Sequence, residues 1–146
     1  MSVREVMTKK VFSTDIKATM TEVARQMIGR NVGSIIVTEN KEAVGIITER
    51  DIVRKLAEGT EKLDRVCAGE IMSSPIMTAK PSTNIIDAAE QMVRCNIRRL
   101  AVMEGGDIVG VVTDRDVLTV SPGLNTILVN LIEMNRAQTI PMAPEP

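Results

Sequence analysis

The chain has 146 residues, 44% hydrophobic and 25% charged, the balance of a soluble globular protein with one ordinary domain or two very small ones. A net charge of −1 gives no global electrostatic reason to bind nucleic acid or a membrane surface, and the one aromatic residue, Phe12, offers no platform for stacked bases. The absence of histidine removes the commonest general base and the commonest zinc ligand.

The predicted elements run as follows. "VFST" (11–14) reads as a short β-strand. Met20, Val23, Ala24, Met27 and Ile28 then recur at helical spacing, with Thr19 and Glu22 at N-cap spacing in front of them. Two apolar runs follow, "SIIV" and "AVGIIT", and "TENKE" between them predicts a hairpin. "ERDIVRKLA" starts a second helix. The polar stretch "AEGTEKLDRV" reads as a linker, and its core is assigned to residues 61–67.

After the linker the same order begins again. Shifting the chain by 65 positions lays Gly45 on Gly110, and the match extends both ways without a gap. "EVM" at 5–7 falls on "EIM" at 70–72, and "EVARQMIGRN" falls on "DAAEQMVRCN". "IMTA" (76–79) is the second short strand. Ile85, Ala88, Ala89, Met92 and Val93 mark its helix, behind Asn84 and Asp87 at cap spacing. "LAV" and "DIVGVVT" flank a turn at "MEGGD", and "DRDVLTV" opens the last helix of the repeat. The fold class is therefore α+β: two pseudo-symmetric β-α-β-β-α units, residues 3–60 and 68–121. Neither buries both faces of its sheet alone, so the units are expected to pack sheet to sheet. Beyond the repeat, Leu124, Ile127, Leu128, Leu131 and Ile132 predict a C-terminal helix over 122–137, which packs on its own module or mediates dimerisation. Residues 138–146 read as a flexible tail.

The most specific signal is a heptad stated twice, "GIITERD" (45–51) and "GVVTDRD" (110–116). Thr48 with Asp51, and Thr113 with Asp116, have capping-box spacing, which accounts for these residues without a ligand. A cap does not require Gly45 and Gly110, nor Arg50 and Arg115. Glycine on a strand permits close approach of a backbone or a ligand. The helix N-terminus offers free N–H groups to an anion. An Asp in the first turn can accept two hydrogen bonds from a ribose diol, and Arg can pair with a phosphate. Together these suit a nucleotide.

The duplicated β-α-β-β-α order and the paired heptads resemble tandem cystathionine-β-synthase (CBS) domains, over nearly everything from Val3 to Val120. The resemblance implies a regulatory module that senses adenosine ligands: AMP, ADP, ATP or S-adenosylmethionine. It assigns the ribose hydroxyls to Asp51 and Asp116, with Thr48 and Thr113 near the ribose and phosphate. It places the base beside Ser13, Thr14 and Ile16 with Val32, Gly33, Ser34 and Ile35 in the first unit. In the second unit the matching residues are Thr78, Ala79 and Pro81 with Ile97, Arg98, Arg99 and Leu100. The copies differ where Gly33-Ser34 becomes Arg98-Arg99. One of those arginines is expected to reach a phosphate, which favours AMP or ADP, and the two sites are expected to bind unequally.

The resemblance further implies a homodimer through the CBS helices, acting on a partner protein in trans. An enzyme is not expected, since the chain has no histidine, nucleophile elbow, P-loop or metal cluster, and no catalytic cofactor or metal is assigned. An interaction module with empty sites is the remaining alternative. Cys67 and Cys95, in no CxxC pattern, read as free thiols. With no apolar leader and no run of about 20 apolar residues, a cytoplasmic location is expected, without nucleic-acid or membrane partners.

Overall fold

The computed structural model describes residues 1–59 and 63–124, together with Thr126, Val129 and Glu133. The helix expected over 122–137 and the tail at 138–146 lie largely outside the described residues. Of the expected helix, Pro122–Leu124 is a single 3-10 turn.

Each repeat opens on one helical turn that the periodicity did not reveal: α1 (Val3–Val6) and α4 (Ala68–Ile71). These are the "EVM" and "EIM" segments. Glu5 and Glu70 reach back to the backbone N–H of Ser2 and Cys67, satisfying donors that a helix start leaves bare. The remaining elements are β1 (Ser13–Asp15), α2 (Met20–Arg30), β2 (Ser34–Glu39), β3 (Glu42–Thr48) and α3 (Glu49–Ala57). The second repeat supplies β4 (Thr78–Ala79), α5 (Ile85–Cys95), β5 (Arg99–Glu104), β6 (Asp107–Thr113) and α6 (Asp114–Val120).

The caps divide. Thr19 and Glu22 form a reciprocal capping box on α2. Asn84 instead caps α5 alone, its carboxamide oxygen accepting from the Ile86 N–H, and Asp87 closes no box. Both helices end on an asparagine in the left-handed region, Asn31 and Asn96, each at φ 53°.

The sheets are three-stranded, ordered β1-β2-β3 and β4-β5-β6. In each, the first two strands run parallel and the last two form an antiparallel hairpin. β4 is only the last two residues of the expected 76–79, and β1, three residues long, is shifted from the expected 11–14 to 13–15. Their extent is set by pairing with one parallel neighbour, which local composition does not encode.

The compact units do not coincide with the sequence repeats. One consists of Val11–Met77; the other joins Met1–Lys10 to the described residues from Thr78 onward. The opening turns have thus changed places. In the Val11–Met77 unit, Met20, Val23, Met27, Ile35, Val37 and Ile47 are buried with Ala68 and Ile71 of α4. In the segment read as a linker, Leu63 opens a 3-10 turn (Leu63–Arg65) and Val66 follows it. Val66 is buried in this core, and Leu63 packs against it. In the other unit, Val3 is fully buried, and α1 is hydrogen-bonded through Val3 N–H to Thr83 O and Arg4 N–H to Pro81 O.

Candidate functional site

Each heptad ends a strand and starts a helix, so its cap stands at a sheet end. Thr48 caps α3: its Oγ1 accepts from Asp51 N–H at 3.3 Å, and Asp51 Oδ2 accepts from Thr48 N–H at 2.8 Å. Thr48 Oγ1 also donates to Asp51 Oδ2 at 3.1 Å. The same box recurs in the other unit, with Asp116 N–H donating to Thr113 Oγ1 at 3.1 Å and Thr113 N–H to Asp116 Oδ2 at 2.9 Å. In both, the box uses only Oδ2. Asp51 is buried, with Oδ1 lying 3.6 Å from the exposed Arg54; Asp116 is half-buried. Arg50 and Arg115 are both exposed.

The strand register sorts the expected site residues into two sets. Ser34 pairs with Thr48 and Arg99 with Thr113, so each pair shares a sheet face. Ser13, beside Ile36, and Thr78, beside Ala101, fall on those same faces. Thr14, Ile35, Ala79 and Leu100 lie on the opposite faces and are buried. Ile35 and Leu100 therefore present backbone, not side chain, toward the caps. Val32 and Ile97 close the preceding helices, their N–H groups donating to Met27 O and Met92 O.

Ile16 and Pro81 stand at the far ends of β1 and β4, five strand positions from the register of Ser34 and Arg99, or roughly 16 Å at about 3.3 Å per residue. Ile16 packs over Gly69, and Pro81 accepts from the Arg4 N–H.

The heptad glycines have a packing explanation. A Cβ on Gly45 would stand 2.6 Å from Met72 Sδ and 2.9 Å from Ser73 O; on Gly110 it would stand 2.6 Å from Met7 Sδ and 3.0 Å from Thr8 O. The approach that glycine permits here is that of the exchanged opening segment. Ser73 and Thr8 also bond with β3 and β6, as Ser73 N–H donates to Ile46 O and Thr8 N–H to Val111 O.

Two carboxylates escaped the sequence reading. Asp114 is buried and accepts from Arg98 Nε at 2.8 Å, while its own N–H donates to Arg98 O at 2.9 Å. Under the 65-residue shift the matching positions are Gly33 and Glu49. There the backbone bond persists, from Glu49 N–H to Gly33 O at 3.2 Å, but the side chains cannot pair. Glu49 is exposed, with Oε1 3.4 Å from where a Gly33 Cβ would stand. The signal was available in the concerted change of Gly33/Glu49 to Arg98/Asp114. Among the described residues no group of three or more His, Cys, Asp and Glu is placed to hold a metal ion, and no helix is long and apolar enough to cross a membrane. Cys67 and Cys95 are half-buried free thiols.

Comparison with known proteins accounts for the duplication. A family model described as the CBS domain matches residues 3–58 and again 68–123. The chain is 38% identical over 125 residues to an uncharacterized protein of Methanopyrus kandleri, covering 84% of this chain and 64% of that one. It is 34% identical over 112 residues to the CBS domain-containing protein YhcV of Bacillus subtilis, covering 76% and 79%. Against an uncharacterized protein of Methanocaldococcus jannaschii it spans only 40% of the relative's length, at 32% identity over 78% of this chain. Among solved structures, a hexameric CBS-CP12 protein from bloom-forming cyanobacteria superposes with a TM-score of 0.77 at 27% identity, covering 86% of this chain and 74% of that one. A CBS domain pair in complex with 5′-methylthioadenosine and S-adenosyl-L-methionine gives a TM-score of 0.74 at 25% identity, covering 84% and 97%.

Proposed function

Since the chain belongs to the CBS-domain family and carries two such domains in tandem, we propose that it is a regulatory module sensing an adenine nucleotide, AMP or ADP. CBS pairs are generally ligand-binding regulatory modules, and this one acts on a partner protein in trans rather than by catalysis. The observation that carries the reading is the repeated cap that engages only one oxygen of its carboxylate. Asp51 and Asp116 each bond the cap through Oδ2, which leaves Oδ1 outside the cap to accept from a ribose hydroxyl, at Asp51 alongside Arg54 at 3.6 Å. Ser34 and Arg99 share the sheet faces of Thr48 and Thr113, and Ser13 and Thr78 join them there.

A thermal-shift screen with AMP, ADP, ATP and S-adenosylmethionine tests the class, because a ligand of the native state raises the melting temperature. Calorimetric titration of Asp51→Ala and Asp116→Ala then tests the sites. Loss of charge-assisted hydrogen bonds should weaken AMP about ten- to a hundredfold at the altered site. Unchanged binding in both variants would refute the assignment.

S-adenosylmethionine is the second reading, favoured by the solved neighbour that holds it with 5′-methylthioadenosine. It shares the adenosine contacts and differs at the 5′ end. Homodimerisation through the CBS helices is also proposed, supported by exposed apolar side chains on α3 (Val53, Leu56) and on α2 (Ile28). Sedimentation velocity of the wild type against Val53→Glu reads it.

A further inference from the structure

The two opening turns dock on their units by the same backbone bonds. Arg4 N–H donates to Pro81 O and Gly69 N–H to Ile16 O, both at 3.0 Å. Val3 N–H to Thr83 O is likewise matched by Ala68 N–H to Ala18 O. The side chains on this shared frame differ. Where the Val11–Met77 unit has Gly69, Ile16 and Asp15, the other unit has Arg4, Pro81 and Lys80 under the 65-residue shift. Ile16 fills the first corner, its Cγ1 lying 2.8 Å from where a Cβ on Gly69 would stand. The second corner is open. A cavity of about 570 Å³ lies there between the opening turn, the Lys80–Thr83 turn and the end of the β5–β6 hairpin at Met103–Gly105.

The same exchange reverses the charge. The cavity walls carry two cations, Arg4 and Lys80, against one carboxylate, Glu104, a net +1. The matched positions carry one cation, Lys17, against two carboxylates, Asp15 and Glu39, a net −1. Arg4 Nη2 donates to Glu104 Oε2 at 2.6 Å, and its other guanidinium nitrogens make no side-chain bond among the described residues. Lys80 is exposed, and its ammonium has no hydrogen bond or ion pair among the described residues. Its counterpart Asp15 is engaged, accepting from the Lys17 N–H at 2.8 Å. Ser82 adds to the wall a hydroxyl that no described residue engages.

An uncompensated ammonium and the outer edge of a guanidinium, brought by separate segments, suit an oxyanion whose oxygens point several ways, as those of a phosphate do. A phosphate alone fills only part of this volume, which falls in the range of about 300–1,000 Å³ that small-molecule sites occupy. Glu104 stands five positions along β5 from Arg99, the partner of Thr113, so the cavity is roughly 16 Å from the cap.

We propose that this cavity is a ligand site separate from the caps, taking the phosphate of a small phosphate monoester on Lys80 and Arg4. It stands independently of the adenosine reading.

The test is an amide-resolved NMR titration of the full-length chain with glycerol 3-phosphate and, separately, acetate, at constant ionic strength. Glycerol 3-phosphate should give saturable shifts at the amides of Arg4, Ser82 and Gly105, and acetate should bind there more weakly. Lys80→Ala should weaken the phosphate ester about two- to fivefold, the scale of an exposed ion pair. Glu104→Gln, which removes the opposing charge, should strengthen it. Lys17→Ala changes the net charge by the same amount as Lys80→Ala but lies at the filled corner, so it should leave binding unchanged. Absence of saturable shifts at these amides overturns the site. Equal binding of acetate overturns the phosphate class. Equal weakening by Lys17→Ala and Lys80→Ala, or none by Lys80→Ala, reduces the effect to net charge and overturns the assignment of Lys80.

Discussion

Met72 Sδ lies 2.6 Å from the point where a Cβ on Gly45 would stand, and Met7 Sδ stands at the same distance from Gly110. Each methionine comes from the opening segment of the other repeat. The glycine of one repeat is thus a socket for the "EVM" or "EIM" of its twin.

The socket has little room to give. Behind each thioether stands a carbonyl, Ser73 O at 2.9 Å and Thr8 O at 3.0 Å, which cannot swing aside as a side chain can. Gly45→Ala and Gly110→Ala should each lower stability by about 1–3 kcal/mol, as overpacking does. Gly29→Ala is the control: exposed near the end of α2 with no heavy atom within 4 Å, it should gain about 0.4–1 kcal/mol. Urea unfolding of the three variants gives the sign of each.

Exchange of the openings makes the first residues essential to a unit that begins 75 positions after Val3, at Thr78. Val3 is fully buried there, so Val3→Ala should cost about 1–3 kcal/mol. Deleting residues 1–10 should unfold that unit, and hydrogen exchange should show protection lost in Ile85–Cys95 and Asp107–Thr113 before Met20–Arg30. Uniform loss or uniform retention across both units would contradict the exchange.

Arg98 and Asp114 are coupled through a bond in which the anion is buried and the cation half exposed. Arg98→Ala should destabilise by about 1–3 kcal/mol, because Asp114 is then left without its charged partner. The Arg98→Ala/Asp114→Asn double variant should be less destabilised than the sum of the singles, which a thermal-melt double-mutant cycle measures.

At the first turn, Glu5 has its carboxyl held below the usual carboxylate range by the Ser2 backbone N–H that it accepts at 2.6 Å. A folded-state pKa below the unfolded value stabilises the protein above the unfolded pKa, and that contribution is lost as pH falls through the folded one. Stability near pH 7 should therefore exceed that below the ordinary glutamate pKa of 4.5 by more in the wild type than in Glu5→Gln. Melting curves across acid pH compare the two.

Helix starts, the hairpins and the two-fold repeat were legible in the chain because each depends on neighbours a few residues apart. The Thr48–Asp51 and Thr113–Asp116 boxes span three residues, and they form as their spacing predicts. The amphipathic stripe of Met20, Val23 and Met27 likewise needs only the helical period. The sheet faces of Ser34 and Arg99 could not be read in the same way. A slip of one position in β2 or β5 would have turned Ile35 and Leu100 toward the caps, and pairing alone decides it. Which opening segment fills which glycine socket is equally silent in local pattern, since "EVM" and "EIM" carry nearly the same side chains. That choice belongs to contacts beyond any local pattern, Met72 with Gly45 and Met7 with Gly110. The Arg98–Asp114 pair, 16 residues apart, exists because the β5–β6 hairpin folds the chain back on itself. Composition and period thus name the parts and their caps, while long-range packing selects their partners.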